Sequence, residues 1–551
     1  MTRSGFWQAA IAVMALALGG CVVTHPGAVD QVRFASDRSF VEARTEAGVV
    51  RGVEGAGVRA FLGVPYAKAP VGDLRWREPR PPEPWDGVRD ATRLGSDCVQ
   101  ALGRKAILGG GGGLVVGSED CLFVNVYGPV PDQVRDDSLS GPLPVMVWLH
   151  GGAFTIGSGA NYDPSRLAAE QGRIVVTVNF RLGALGWLAH PGFDAEGEGG
   201  AQNLGGNWGL MDQQAALRWV HDNIGAFGGD PGDVTLFAES SGAWSACYLM
   251  ASPGSEGLFH RVILQSGPCL EPQSLNAAKD QAPGGPPFAE ALGCTEQGQV
   301  ACLRALPAWR LARAPSLRSG INGPGSWGPV HTDATVPISP PDAFASGRFT
   351  RVPVIVGTNT DEGRLFAVEV KDMDRYQKET VWLYGADGER ALERYPVGAD
   401  GPAVAIAQSF TDSRFSCPAE ALRRLLARHV PVHGYEFADA EAPFLLPDWI
   451  SGLDMGAYHA SELAYVFGTS WLFADTGRWT SEQRALSDRM MLLWAGFGHD
   501  PDFEQDWPRV RDGGGPIVVF HPEGDRVDAT FHDRHHCGFW GGTALGAVEP
   551  S

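Results

Sequence analysis

Residues 234–246 read VTLFAESSGAWSA, an apolar run of strand length that passes into a helix-spaced apolar stretch with no connecting loop. A chain makes that join through a sharp strand-to-helix turn, and such a turn leaves no room for bulk two residues either side of its apex. Centring it on Ser241 puts Glu239 at a crowded position. Centring it on Ser240 puts Ala238 before and Gly242 after, both small. Ser240 is therefore the candidate nucleophile. A serine pair here would also serve as a plain helix cap, so the assignment needs support from the rest of the chain.

The surrounding sequence alternates buried strands with helices. VVRGVEGAGVRAFLGVPYA reads as an opening hairpin, and CLFVNVYGP, LPVMVWLHGG and RIVVTVNF are apolar runs of buried-strand length. NWGLMDQQAALRWVHDNIGAFGGD has helical apolar spacing and stops at glycines. Further on, RVILQSG and VPVIVGTNTDEG predict strands, while PAEALRRLLARHV and EQRALSDRMMLLWAGFG predict helices. Such alternation specifies an α/β layered fold. The glycine run 109–113 lacks a following Gly-Lys-Ser/Thr and reads as a flexible loop, not a phosphate cradle.

Three further features bear on the serine. Gly151, Gly152 and Ala153 follow a buried strand, where small residues let backbone N–H groups approach a developing oxyanion. The expected donors are the amides of Gly152, Ala153 and Ser241. Asp361 and Glu362 follow another strand and offer an acid, and His459 precedes a helical stretch and offers a base. Their chain order, serine then acid then histidine, is that of the α/β-hydrolases. His150 reads as packing beneath the glycine turn. The cluster FHDRHHCGFW lacks zinc-finger or HExxH spacing and reads as surface or disulfide-anchoring sequence.

A net charge of −20 offers no excess cation to displace counterions from phosphate, so nucleic acid is excluded as the main partner. At the N-terminus, one positive charge, the short apolar run FWQAAIAVMALAL and LGGC have the layout of an export signal over residues 1–20. Cys21 after small residues resembles the bacterial lipobox, which would anchor the chain to a membrane through a lipidated cysteine, and by that analogy Val22 in place of Asp favours the outer one. An ordinary signal followed by a periplasmic or secreted chain is the other reading. Residues 21–37 read as a short tether. Nine cysteines fit an oxidising compartment. Cys294 and Cys302 would close a small loop, Cys98 and Cys121 a longer one, and Cys417 and Cys537 would tie the C-terminal part, though spacing alone establishes no pairing. Cys247, inside an apolar helix, reads as a buried free thiol.

Taken together, GVPYAKAPVGDLRWREP, SEDCLFVNVYGP, WLHGGAF, NFRLGALGWL, VTLFAESSGA, TNTDEG and YHASELAYVFG resemble the type-B carboxylesterase family over about Val41 to Trp540. The resemblance implies an α/β-hydrolase fold: a large central, mostly parallel twisted sheet flanked by helices, with inserted loops and helices over the site. It implies one catalytic domain over residues 38–545. It further implies a Ser240–Glu362–His459 triad, with Glu362 preferred to Asp361, acting on small-molecule carboxylic esters through an acyl-enzyme without metal or organic cofactor. Glu239, Ser266 and Glu462 match secondary polar residues of such sites, and Arg75 with Glu119 matches a structural ion pair. The implied disulfides are Cys98–Cys121, Cys294–Cys302 and Cys417–Cys537. The chain departs from the family at Ala153 and Ala238, where glycine is usual, and at Ser241, where alanine is. Residues 99–120 contain no aromatic, which removes the π face that quaternary ammonium needs. Amide or carbamate hydrolysis on the same machinery, and a catalytically silent binding role, are the alternative readings.

Overall fold

The computed structural model describes residues 38–103, 112–130, 141–196, 205–270, 273–274, 285–295, 298–314, 327–331, 333–445, 452–500, 503–511 and 514–541. The expected signal, Cys21, the tether and residues 109–111 of the glycine run lie outside the described residues. The chain divides into two compact units. The first runs up to Val234 and includes Ser252–Phe259 and Pro272–Ser339; the second comprises Thr235–Ala251, His260–Glu271 and the chain from Pro340 on.

In the first unit, β1 (Ser39–Thr45), β2 (Gly48–Gly55), β3 (Val58–Pro65), β4 (Phe123–Pro129), β5 (Leu143–Leu149) and β6 (Ile174–Val178) pair in the order β1-β2-β3-β4-β6-β5. All pairs are antiparallel until β5 joins β6 in parallel. The β2–β3 hairpin turns on Ala56 and Gly57, both at positive φ (52° and 83°), as a two-residue hairpin turn requires. β6 is buried at every residue, matching its uninterrupted apolar run. Helix α1 (Trp208–Asn223) buries Leu210, Ala216, Leu217 and Val220, and the helical path ends in a short turn at Gly228, φ 88°.

The second unit is built on parallel strands. The end of β7 (Gly229–Glu239), β8 (Arg261–Gln265), β9 (Val354–Asn359), β10 (Val432–Phe437) and β11 (Ile517–Phe520) pair in that order, all parallel, and β12 (Arg526–Asp528) closes the edge antiparallel. Helix α2 (Ser241–Ala251) follows β7 at once. Helices α3 (Pro402–Thr411) and α4 (Cys417–Leu426) are joined by a π-helical turn, Asp412–Ser416. A short α5 (Leu463–Phe467) precedes α6 (Ser481–Gly496), which opens on a Thr480/Gln483 capping box. Strands β10 and β11 were not expected. VHGYEF carries polar residues at buried positions, and it forms a central strand because those residues are paired: His433 contacts the Trp507 carbonyl at 2.8 Å, and Glu436 meets Arg534 and His535. Among the described residues, no helix is long and apolar enough to cross a membrane.

Among the described residues, four disulfides are formed. Cys98–Cys121 and Cys294–Cys302 lie in the first unit and Cys417–Cys537 in the second, as the resemblance implied. The fourth corrects the reading of Cys247 as a free thiol: it is bonded to Cys269, in the segment that follows β8. Apolar helix spacing reports that Cys247 is buried, but not what packs against it. Arg75 meets Glu119 through two hydrogen bonds of 2.6 Å and donates to the Arg304 and Leu306 carbonyls at 2.9 and 2.6 Å, so this ion pair ties distant loops of the first unit together.

Candidate active site

Because β7 ends at Glu239 and α2 begins at Ser241, Ser240 alone makes the turn. It sits at φ 55°, a left-handed conformation that costs a non-glycine residue about 1–2 kcal/mol. Two backbone hydrogen bonds hold it there. Its N–H donates to the Gln265 carbonyl at 2.8 Å, and the Trp244 N–H donates to the Ser240 carbonyl at 3.0 Å. Ala238, next to last in β7, is wholly buried.

The acid and the histidine arrive on two loops that are fastened to each other. Beyond β9, Glu362 accepts a hydrogen bond from the Asn359 N–H at 2.8 Å, and the chain bridges at Asp361 to Tyr458, one residue before His459. The result is a continuous contact chain. His459 Nδ1 lies 2.6 Å from Glu362 Oε2, and His459 Nε2 lies 2.9 Å from Ser240 Oγ. Asp361, the other acid offered by the sequence, is committed elsewhere. Its carboxylate pairs with Arg364 at 2.9 Å and accepts from the Ala457 N–H at 3.0 Å.

The three secondary residues surround this array. Glu239 Oε1 is 3.0 Å from His459 Nε2. Glu462 accepts from Gln265 Nε2 at 3.0 Å and from Asn359 Nδ2 at 2.6 Å, and Gln265 Oε1 in turn accepts from Trp494 Nε1 at 3.0 Å. Ser266 is fully buried at φ 50°, its N–H donating to the Gly357 carbonyl at 2.9 Å. Gln265 and Asn359, which hold Glu462, were not singled out from the sequence; both are the last residues of strands running into the site. Phe366 and Phe415, whose rings flank the His459 ring at 5.2 and 4.9 Å, were not singled out either; they lie on a short helix and on the π-helical turn.

Three buried carboxyl groups around one imidazole set the electrostatics. Burial disfavours the His459 imidazolium, but Glu239, Glu362 and Glu462 outweigh it and push its pKa up to about 9. Burial raises Glu239 to about 8 against the pull of His459, with the Glu462 and Glu362 charges adding to the rise. Glu462 is raised to about 7, chiefly by burial and then by Glu362. Glu239 and His459 are thus coupled, since a proton on Glu239 removes the charge that most raises the imidazole.

Gly152 and Ala153 belong to the first unit. The loop after β5 runs through three successive positive φ values: Gly152 at 115°, Ala153 at 54° and Phe154 at 61°. The Gly152 carbonyl accepts the Thr155 and Ile156 N–H groups at 3.0 and 3.1 Å, and a Cβ on Gly152 would overlap the Ile156 carbonyl. Glycine is obligatory there, whereas Ala153 carries the left-handed conformation with its methyl in place. His150 is buried, stacked on Phe180 at 4.4 Å, and held down to about pKa 4 by burial, which is a packing role.

The C-terminal histidine cluster anchors the second unit around its disulfide. His532 contacts Glu420 at 2.9 Å, while His535 lies between Asp412 and Glu436 at 2.6 Å each. Glu420, His532 and Cys537 have potential ligand atoms within 4.8 Å of one another, but the sulfur is already bonded to Cys417.

A serine on a strand-to-helix turn, an imidazole on its hydroxyl and a carboxylate behind the imidazole, the serine and the carboxylate following parallel strands, define an α/β-hydrolase. The chain belongs to the carboxylesterase family, whose model matches residues 38–540, and is a carboxylic ester hydrolase. It is 36% identical over 487 residues to the para-nitrobenzyl esterase of Bacillus subtilis (strain 168), covering 85% of this chain and 92% of that protein. It is 35% identical over 496 residues to the fumonisin B1 esterase of Sphingopyxis macrogoltabida, covering 86% and 85%. A solved structure of PNB esterase superposes with a TM-score of 0.72 at 33% identity, over 91% of this chain and all of that one.

Proposed function

We propose that the chain hydrolyses small-molecule carboxylic esters through an acyl-enzyme on Ser240. His459 Nε2 takes the hydroxyl proton as the oxygen attacks the ester carbonyl, then returns it to the departing alcohol; a water molecule repeats the sequence on the acyl group. Glu362 holds the Nδ1–H tautomer and compensates the transient imidazolium. The Ser241 N–H and, by the reading of the glycine loop, those of Gly152 and Ala153 are the oxyanion donors. The observation that carries this reading is the chain of contacts from Ser240 Oγ to His459 at 2.9 Å and on to Glu362 at 2.6 Å. Relatives named for fumonisin B1 and para-nitrobenzyl esters support a small-molecule substrate.

Burst kinetics with an activated ester test the acyl-enzyme, and an organophosphonate tests the serine. Ser240→Ala is expected to lower kcat by roughly 10⁴-fold or more. Retention of more than about one part in a hundred would remove Ser240 from its role. Four disulfides support export to an oxidising compartment. Lipidation of Cys21 is tested by growth on radioactive palmitate, where an unlabelled wild-type chain would exclude it.

A further inference from the structure

The disulfide Cys247–Cys269 lies on the nucleophile's own helix, and both sulfurs are fully buried. Cys247 stands about two turns into α2, one turn beyond Ala243 on the same helix face, and Ser240 makes the turn that leads into this helix. Opposite that face runs the segment Gln265–Cys269, and alternate residues of this segment meet successive turns of the helix. The Gln265 carbonyl accepts the Ser240 N–H at 2.8 Å. Gly267 packs so closely that a Cβ there would overlap the Ser240 carbonyl and the Ala243 methyl. Cys269 is covalently joined to Cys247. The segment is itself fixed to β9 through the Ser266 N–H and the Gly357 carbonyl at 2.9 Å.

We propose that Cys247–Cys269 is a positioning pair for catalysis: the covalent end of a three-point seam that holds the first turns of α2 so that Ser240 stays at its left-handed turn, with Oγ aimed at His459. This rests on the reading of Ser240 as nucleophile. A hydrogen bond and a glycine contact alone leave the far end of the seam free to slide, and the turn can then relax toward an ordinary helical φ. Small displacements of a reacting atom are expensive, since about 1 Å can cost a hundredfold in rate.

The test compares kcat, KM and phosphonate-titrated active sites in the full chain. Cys247→Ala/Cys269→Ala is set against Cys294→Ala/Cys302→Ala, which removes a disulfide from the first unit. The expected result is a kcat about tenfold or more lower in the first variant, with KM within twofold and a full titre of active sites, while the second variant keeps its kcat. Cys247→Val/Cys269→Ala, which refills the sulfur volume, is expected to show the same loss. An unchanged kcat in the alanine pair, a loss matched by a lower titre, or full recovery in the valine variant each overturns the proposal. Should the alanine pair fail to fold, the valine variant decides alone. If it too yields no folded protein, the wild type is treated with a dithiol and alkylated, and thiols are mapped against residual kcat. Opening of this disulfide with kcat intact is then the overturning result. Wild-type chain that takes no phosphonate at Ser240 would instead remove the nucleophile assignment, which separates the two failures.

Discussion

At the scale of single residues, Ser240 is caught between chemistry and backbone comfort. Its φ of 55° exposes Oγ but is a conformation that glycine adopts without penalty. Ser240→Gly should therefore abolish turnover and raise stability by about 1 kcal/mol. In a chain of this size that is a rise of about 1–2 °C in the thermal midpoint, readable by calorimetry. The adjacent Glu239 makes a second prediction. Of the three carboxylate charges that raise His459 to about 9, that of Glu239 acts most strongly, while Glu362 adds a hydrogen bond to its charge. Since the base must be neutral to accept the serine proton, kcat/KM should climb with pH through an alkaline limb. Glu239→Gln removes that charge and should move the limb to lower pH. A limb that stays in place would mean that Glu239 already carries its proton, as its own raised value of about 8 allows near neutrality.

Among the elements, the acid loop and the histidine loop act as one piece. The Asp361 N–H donates to the Ala457 carbonyl at 3.0 Å, the Ala457 N–H returns to the Asp361 carboxylate, and Arg364 closes the clamp from Asp361 to the Asp454 carbonyl at 2.9 Å. Gly456 at φ 54° lets the chain pass against Asp361. Asp361→Ala should lower kcat about tenfold by loosening His459, with phosphonate labelling of Ser240 slowed but complete. This is a far smaller loss than Glu362→Ala should give in the same assay. The preference for Glu362 in DEG came from resemblance; what separates the two carboxylates physically is that one side chain reaches the imidazole and its neighbour is consumed by a loop contact.

For the molecule as a whole, stability should depend on pH through the C-terminal histidine cluster. Burial disfavours a charged His535, but Asp412 and Glu436 prevail and hold its proton up to about 9. The folded chain thus keeps that proton where an unfolded one, with an ordinary value near 6.5, has lost it. The stabilisation is complete below about pH 6.5 and disappears as pH rises through about 9. Arg534 faces the same Glu436, Tyr395 donates to Asp412 at 2.7 Å, and the Phe531 ring lies 4.5 Å from the imidazole. The thermal midpoint should fall across that window, and His535→Gln should flatten the fall. Because His459 shifts in the same direction, the difference between wild type and variant isolates the His535 share. Cys417–Cys537, which spans 120 residues, should add roughly 4–5 kcal/mol on chain-entropy grounds. Its removal should lower the midpoint more than removal of the 8-residue Cys294–Cys302 loop.

What the sequence determined by itself was what depends on short spacing: the size rule that singles out Ser240 over Ser241, the uninterrupted runs that become β5 and β6, and the ordered motifs that tie Glu362 and His459 to the serine. Tertiary structure alone decided the partnerships made across the chain. VHGYEF becomes a central strand because Glu436 finds Arg534 and His535 nearly a hundred residues later. Cys247 is oxidised because the chain after β8 returns to the face of α2. Glu239 and Glu462 acquire their raised pKa values from burial beside other carboxyls. Local spacing constrains which face or turn a residue occupies. The identity of the group that meets it there is set by how the strands order themselves in the sheet, and a run of neighbouring residues carries no record of that order.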